Sequence, residues 1–237
     1  MPFAFAFAFA LGACGDDGAR SRDASPDTPI DVPPGTCTSG MFFTGEIIDW
    51  DWTVTNDCGV DNSKLTLRGQ TAPSDTSNPN GRFELCVPHQ AQSLVDVMQS
   101  RNASPCHGGP VRDYMGHAVF IAEQAVIDAG GLFSARAMTQ ARQDEMFTQI
   151  GTSYNANQAQ LVVHVNGTPR AVSISPNHDA TQRYDGTTWA AGDTGSDVFF
   201  PNVAPGSVQV TVTGGAIGAT MLTLDPGTYT YLAVIAN

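Results

Sequence analysis

The feature that most limits how this chain can fold is a series of short Val- and Thr-rich segments that end in turns. Between residues 158 and 237, apolar and polar residues alternate over short runs, as they do in strands with one buried face. The runs are AQLVVHVNG, RAVSISP, DVFFPNV and VQVTVTG. Asn166-Gly167 closes the first run, since Asn and Gly accept positive φ at low cost. The pattern predicts a mostly β fold, with an antiparallel β-sandwich over 158–237.

The N-terminal half carries the same kind of pattern. Residues 64–68 (KLTLR) and 82–88 (RFELCVP) alternate between apolar and polar side chains. Residues 78–81 (NPNG) between them are a strong turn signal, because Pro presets φ and Gly accepts positive φ. We therefore expect a second antiparallel β-sandwich over residues 37–130.

Three segments of this half resemble a known family. The succession GEIID, KLTL and NGRFELCVP is similar to carboxypeptidase regulatory-like modules, which are transthyretin-like β-sandwiches related in architecture to immunoglobulin folds. Residues 198–206 (VFFPNVAPG) resemble a turn that recurs in the same modules. The resemblance implies accessory domains without catalytic residues.

A helix is predicted between the two sandwiches. Thr139 can cap its N-terminus, Met146 lies on its apolar side and Gly151 stands at the position of a C-terminal glycine. We interpret residues 131–157 as a short helical linker between two domains. The apolar stretch before it, residues 118–127, is predicted to be a strand of the first sandwich.

The first residues predict export. A short apolar run leads to Leu11-Gly12-Ala13-Cys14 and then turns acidic. The run is too short to span a bilayer but has the length of a signal-peptide core. The four residues resemble the lipobox of bacterial lipoproteins. The resemblance implies that residues 1–13 are removed as a signal peptide and that Cys14 carries lipid.

The segment that follows has the composition of a tether. Residues 14–36 contain four prolines, five aspartates and few apolar side chains. Such a segment buries too little to offset the entropy of ordering, so we expect it to be disordered. A lipid on Cys14 would then anchor the folded part to the cell envelope, with the outer membrane favoured and a periplasmic or surface-facing orientation.

Cysteine usage agrees with an exported protein. If Cys14 carries lipid, Cys37, Cys58, Cys86 and Cys106 remain, enough for two disulfides in an oxidising compartment. Four cysteines allow three pairings, and the sequence does not choose among them. No CxxC motif occurs, so a zinc ribbon or thioredoxin-type site is not predicted.

Charge excludes one class of partner. The chain has 23 acidic and 11 basic residues, giving a formal net charge of −12. A protein that binds nucleic acid neutralises phosphates with clustered Lys and Arg, and no such cluster occurs. We expect no nucleic-acid partner and attachment to the membrane through the lipid alone.

Motifs for catalysis and cofactors are missing from the sequence. There is no nucleophile elbow, Walker A loop, dinucleotide fingerprint or His-x-x-x-His ligand pair. We therefore predict no catalytic residue, metal or cofactor. The alternative is an envelope hydrolase with a site between the sandwiches, for which His107, Asp113 and His117 are the default candidates.

Two groups of residues suggest binding rather than catalysis. Calcium favours clustered carboxylates, and Asp49, Asp51, Asp57 and Asp61 lie close together in the sequence, although a solvated acidic loop is the preferred interpretation. Exposed aromatic side chains can contact a sugar or peptide, and three tryptophans are candidates for such a contact: Trp50, Trp52 and Trp189. Burial of Trp189 as a plug of the C-terminal core is the favoured alternative.

The sequence as a whole predicts a lipid-anchored envelope protein whose β-sandwiches are structural or bind an envelope protein or glycan.

Overall fold

The described part of the chain forms three β-sheets. The computed structural model describes residues 37–38, 40–51, 59–98, 111–115, 117–129, 133–175, 177–217 and 221–236. The strands are β1 (Gly40–Asp49), β2 (Lys64–Leu67), β3 (Ser74–Thr76), β4 (Arg82–Pro88), β5 (Gln92–Met98), β6 (Ala118–Glu123), β7 (Phe133–Ala137), β8 (Ala159–Asn166), β9 (Arg170–Ser175), β10 (Gln182–Tyr184), β11 (Trp189–Ala191), β12 (Thr194–Gly195), β13 (Asp197–Val203), β14 (Gly206–Val212), β15 (Ala216–Ile217), β16 (Met221–Leu224) and β17 (Tyr229–Ala236). The helices are α1 (Gln124–Asp128) and α2 (Gln140–Ile150). The prediction of a mostly β fold is confirmed.

The largest sheet has ten strands. Its order is β11-β10-β13-β8-β17-β6-β5-β2-β3, and β15 also pairs with β17. A three-stranded sheet has the order β4-β1-β7, and a four-stranded sheet has the order β12-β9-β14-β16. The ten-stranded sheet is called the central sheet below, because each of the other two packs on one of its faces.

Alternation along the central strands separates two hydrophobic cores. In β17, Tyr229 and Tyr231 face the first core, while Leu232 and Val234 face the second. Successive side chains of a strand point to opposite faces, so the two cores lie on opposite sides of the central sheet. The first core lies against the three-stranded sheet and the second against the four-stranded sheet.

The predicted division into two sandwich domains with a linker is not confirmed. β17 pairs in parallel with β6 of the N-terminal half, where Tyr229 lies opposite Ala118, and in parallel with β8 on its other side. Strands of both halves therefore share one sheet, and Cys37–Asn237 form one compact unit. The physical reason is that β17 is apolar on both faces, and such a strand is buried best in the middle of a covered sheet.

The stretch predicted as a strand over 118–127 changes structure within its length. β6 ends at Glu123, opposite Gln92 of β5, and α1 begins at the next residue. The backbone N–H of Gln124 donates to the carbonyl of Ala91 in the turn before β5, which ends the ladder. Ile127 still packs against the first core, now from a helix.

The predicted helix is confirmed as α2. The hydroxyl of Thr139 accepts a hydrogen bond from the backbone N–H of Arg142 at 3.2 Å, and Gly151 ends the helix with φ of 70°. Met146 and Phe147 are buried in the first core. Within the described residues, no helix is both long and apolar enough to cross a bilayer.

The segment after α2 is held against the body instead of linking two bodies. Asn202 of β13, at a φ of 51°, accepts a hydrogen bond from the backbone N–H of Asn155 at 3.0 Å. Its amide donates to the carbonyl of Ser153 at 2.8 Å and to Asp179 at 2.7 Å. The predicted linker is therefore part of the packed structure.

Candidate functional site

Two aspartates at the end of β1 connect three segments of the chain. The buried Asp49 carboxylate accepts hydrogen bonds from Nη1 of Arg112, at 3.1 Å to each oxygen, and from the Tyr114 hydroxyl. Asp51 accepts from the same Arg112 nitrogen at 2.9 Å and from Nε of Arg142 in α2. We call these five residues the Asp49 network.

The electrostatics of the Asp49 network favour one protonation state. Burial and the hydrogen bond to Asp49 raise the pKa of Tyr114 far above its ordinary value. Burial lowers the pKa of Arg142, but the bond to Asp51 outweighs this and the net pKa is raised. Tyr114 therefore stays protonated and Arg142 stays charged at neutral pH. Groups held in one state in this way stabilise a structure but do not exchange protons readily.

The calcium hypothesis gains no support from the described residues. The oxygens of Asp49 and Asp51 are engaged by arginines instead of facing an open site. Asp61 is half-buried and lies two residues after Gly59, which bridges to Ile48, and Asp57 lies outside the described residues. In the described ranges, no three His, Cys, Asp or Glu side chains gather as metal ligands would.

Trp50 and Trp189 form a stacked pair inside the first core. Their exposed fractions are 1% and 5%, and their ring centroids lie 5.8 Å apart. Tyr184 packs edge-on against Trp50, and the Arg136 guanidinium lies 5.5 Å from the centre of the Trp50 ring. Neither ring is available at the surface, which corrects the hypothesis that they contact a ligand there. The favoured alternative, a buried Trp189, is confirmed, with the ring in the first core, and Trp52 lies outside the described residues.

A second charged group links the residue that follows β2 to β5 and to the turn between β16 and β17. Arg68 donates to Asp96 at 2.8 Å from Nη2 and also pairs with Asp225. Nε2 of His117 lies 3.0 Å from the same oxygen of Asp96. Sequence reasoning missed this group, because its members are far apart in the chain and share no motif.

Stability should depend on pH through Asp96. Burial alone would raise the pKa of this carboxyl, but hydrogen bonds from Arg68 and His117 outweigh burial and hold the pKa below its ordinary value. A carboxyl with a lowered folded-state pKa contributes stability above its unfolded-state pKa and loses it as the pH falls through the folded-state pKa. We expect Asp96→Asn to destabilise the protein at pH 7 and to have a much smaller effect near pH 3. Urea unfolding at both pH values measures the difference, and an equal loss at both would contradict the assignment.

The three candidates for hydrolysis do not form a site in the described structure. His117 lies beside Asp96, and no hydrogen bond or ion pair joins it to Asp113, although both residues are described. The contact made by Asp113 is through its carbonyl, which accepts from the backbone N–H of Gln140 at the start of α2. His107 lies outside the described residues.

A third polar group surrounds His164 on β8. Its Nδ1 lies 2.8 Å from Asp197, its Nε2 lies 3.0 Å from Asn166, and its ring stacks on Tyr231. Burial raises the pKa of Tyr231 well above its ordinary value, and the nearby Asp197 adds to the effect. His164 is therefore packed between strands and bonded at both ring nitrogens.

One of the two predicted disulfides is present. Cys37 and Cys86 are joined, with 5.4 Å between their Cα atoms, and fasten the start of β1 to β4. Cys58 and Cys106 lie outside the described residues, so the second disulfide stays a prediction. Given the first pair, it would join Cys58 to Cys106.

Cys14 and residues 1–36 also lie outside the described residues, so the signal peptide, lipidation and tether stay predictions.

Comparisons with known proteins do not assign a family. No family model and no curated protein matches the sequence. A shaft pilin of Lactobacillus rhamnosus GG is 10% identical, covers 84% of this chain and 99% of its own, and has a TM-score of 0.26. The minor pilin of Streptococcus agalactiae is 9% identical over 84% of this chain and 97% of its own, with a TM-score of 0.20. The major pilin of Streptococcus pyogenes is 7% identical. The match covers 83% of this chain and 97% of the pilin, with a TM-score of 0.23. TM-scores this low do not establish a shared fold.

Proposed function

We propose that this chain is a lipid-anchored protein of the bacterial cell envelope whose β body has a structural, ligand-binding or adhesive role and no catalytic one. The observation that carries the proposal is Leu11-Gly12-Ala13-Cys14 after an apolar run, followed by the acidic, proline-rich residues 15–36. Lipid on a cysteine followed by a polar segment holds a folded body at a membrane without a spanning helix.

The arrangement of charges in the body supports the non-catalytic part of the proposal. Asp49 and Asp51 are neutralised by Arg112 and Arg142, and Asp96 is bound by Arg68 and His117. A catalytic acid or base needs a free position within hydrogen-bond reach of a substrate. These side chains use their hydrogen-bonding capacity on one another and join strands that are distant in sequence. Their role in this proposal is to make the displayed body rigid.

Lipidation is the direct test. The full chain is expressed in a Gram-negative host, membranes are separated from soluble protein, and the N-terminal peptide is analysed by mass spectrometry. We expect the protein in the membrane fraction, beginning at a lipid-modified Cys14. The control is Cys14→Ser, which should be soluble or retain residues 1–13. An intact Met1 with an unmodified Cys14, or membrane association of a Cys14→Ser protein that has lost residues 1–13, would refute the anchor.

A further inference from the structure

The four-stranded sheet ends in a strand with one open side. β16 pairs with β14 from Gly206 opposite Leu224 to Gln209 opposite Met221, and among the described residues no strand pairs with its other side. In an antiparallel pair, alternate residues of an edge strand point their backbone N–H and C=O groups away from the partner. The outer side of β16 is therefore able to form hydrogen bonds with one more strand.

The central sheet projects beyond this open side. Ile121 of β6 belongs to the second core, and Leu94 of β5 packs partly against it, so β16 lies over these two strands. No residue of β2 or β3, which are described throughout, belongs to the second core. On the same face, Lys64 is exposed and Thr66 is half-buried. We call the open side of β16 and the adjoining outer faces of β5 and β2 the β16 groove.

A depression lined by three apolar and three polar side chains lies at the inner corner of the β16 groove. Its volume is about 260 Å³, and it is lined by Gln92, Leu94, Ser207, Met221, Leu222 and Thr223. Met221 is 52% exposed, one of four large apolar side chains with high exposure in the described ranges. A depression of this size is below the range of typical small-molecule sites but accommodates one apolar side chain.

Charge along the groove differs from that of the chain as a whole. The chain has a formal net charge of −12, yet Asp96 and Asp225 are both paired with Arg68, while Glu123, opposite Gln92 at the inner corner, is half-buried. Lys64, the one lysine of the sequence, is exposed on the floor of the groove. The part of the floor around Lys64 is therefore complementary to an acidic side chain on an incoming segment.

We propose that the β16 groove binds one extended segment of a partner protein as an added strand of the four-stranded sheet. Backbone hydrogen bonds to β16 would supply affinity, and alternate side chains would supply specificity, as in other cases of strand addition. One apolar side chain fills the depression, and an acidic side chain at an even spacing from it lies over Lys64. This inference goes beyond the proposed function and holds whether or not Cys14 carries lipid.

Geometry favours a single segment over a second copy of the chain. Sheets pack about 10 Å apart and strands about 4.8 Å apart, so the projecting strands β2 and β3 leave room for one or two added strands above them. A second folded copy could pair its own β16 with this one so that the two four-stranded sheets became continuous. Its β2 and β3 would then occupy the space already filled by β2 and β3 of the first copy. An extended segment without layers of its own meets no such obstacle.

The test uses a phage-displayed library of random peptides of about ten residues, long enough to pair with the whole of β16. We expect selected peptides to alternate apolar and polar residues and to carry an acidic residue. Synthetic copies are titrated by fluorescence anisotropy against the full chain, Met221→Glu and Lys64→Ala. Met221→Glu should weaken binding about tenfold or more. Hydrogen exchange with and without peptide should show new protection in residues 221–224.

Two controls make the result decisive. Val111→Glu places the same charge on another exposed apolar residue, in the segment that contacts Asp49, and should bind like the unchanged protein. Methylating alternate backbone amides of the peptide should abolish binding, because strand addition needs those N–H groups. The proposal is wrong if no peptide is selected above a blank surface, or if Met221→Glu binds as well as the unchanged chain. A dimer that Met221→Glu dissociates would assign the groove to a second copy and would also overturn it.

Discussion

Replacing Trp189 by alanine is expected to lower the free energy of unfolding by about 3–5 kcal/mol, the usual cost of removing a large buried aromatic side chain. Trp189 is 5% exposed and packs against Trp50, Tyr184 and Phe199. These contacts join β11 to the residue that follows β1 and to β13, so the cavity would open between segments of both halves of the chain. Urea or thermal unfolding followed by circular dichroism measures the effect.

Two further variants show whether lost packing accounts for the loss of stability in Trp189→Ala. Trp189→Phe keeps an aromatic ring and removes an indole N–H that has no hydrogen-bond partner within the described protein, so its cost should be clearly smaller. Tyr154→Ala removes an aromatic side chain that is 36% exposed and should change stability much less. If Trp189→Ala unfolds with an unchanged midpoint, Trp189 is not part of the core.

Replacing Arg112 by methionine should destabilise the protein by about 3–5 kcal/mol, because it leaves a buried carboxylate without its charged partner. The side chain of Asp49 is 1% exposed, and Arg112 donates to both of its oxygens and to Asp51. Methionine keeps much of the apolar stem, so the loss reports on charge more than on packing. Equilibrium urea unfolding at pH 7 measures it.

A matched arginine and a double variant complete this test. Arg82 of β4 is exposed, and Arg82→Met should cost little. Adding Asp49→Asn to Arg112→Met should recover part of the lost stability, because the buried charge is then gone. If Arg112→Met and Arg82→Met are equally mild, Asp49 does not depend on the arginine.

The parts of the fold that the sequence predicted correctly are those set by neighbouring residues. Thr139 and Gly151 mark the ends of α2, because caps act within one turn of a helix. Alternation in β4 likewise places Phe83, Leu85 and Val87 in the first core. The central sheet was not predictable in this way. The parallel pairing of β17 with β6 joins residues more than a hundred positions apart, and no local signal identifies that partner.

The candidate site shows the same limit. Asp49 and Asp51 stood out as clustered acids, and clustered acids are as compatible with calcium as with arginine partners. Arg112 follows Asp49 by 63 residues, and nothing in the sequence around it names its partner. Burial of Trp189 was favoured from the sequence, but nothing in the sequence indicated that its ring stacks on Trp50. Isolated side chains indicate a class of interaction, and only the fold decides which one forms.

The central place of β17 has a consequence for how the protein is made. β6 and β8 each use one side to pair with β17, whose residues 229–236 are translated after both of them. A chain emerges from its N-terminal side both at the ribosome and during export, so β6 and β8 have unsatisfied edges until their shared neighbour emerges. During that interval the first core lacks Tyr229 and Tyr231, and the second lacks Leu232 and Val234. The central sheet therefore joins β6 to β8 only after β17 has emerged.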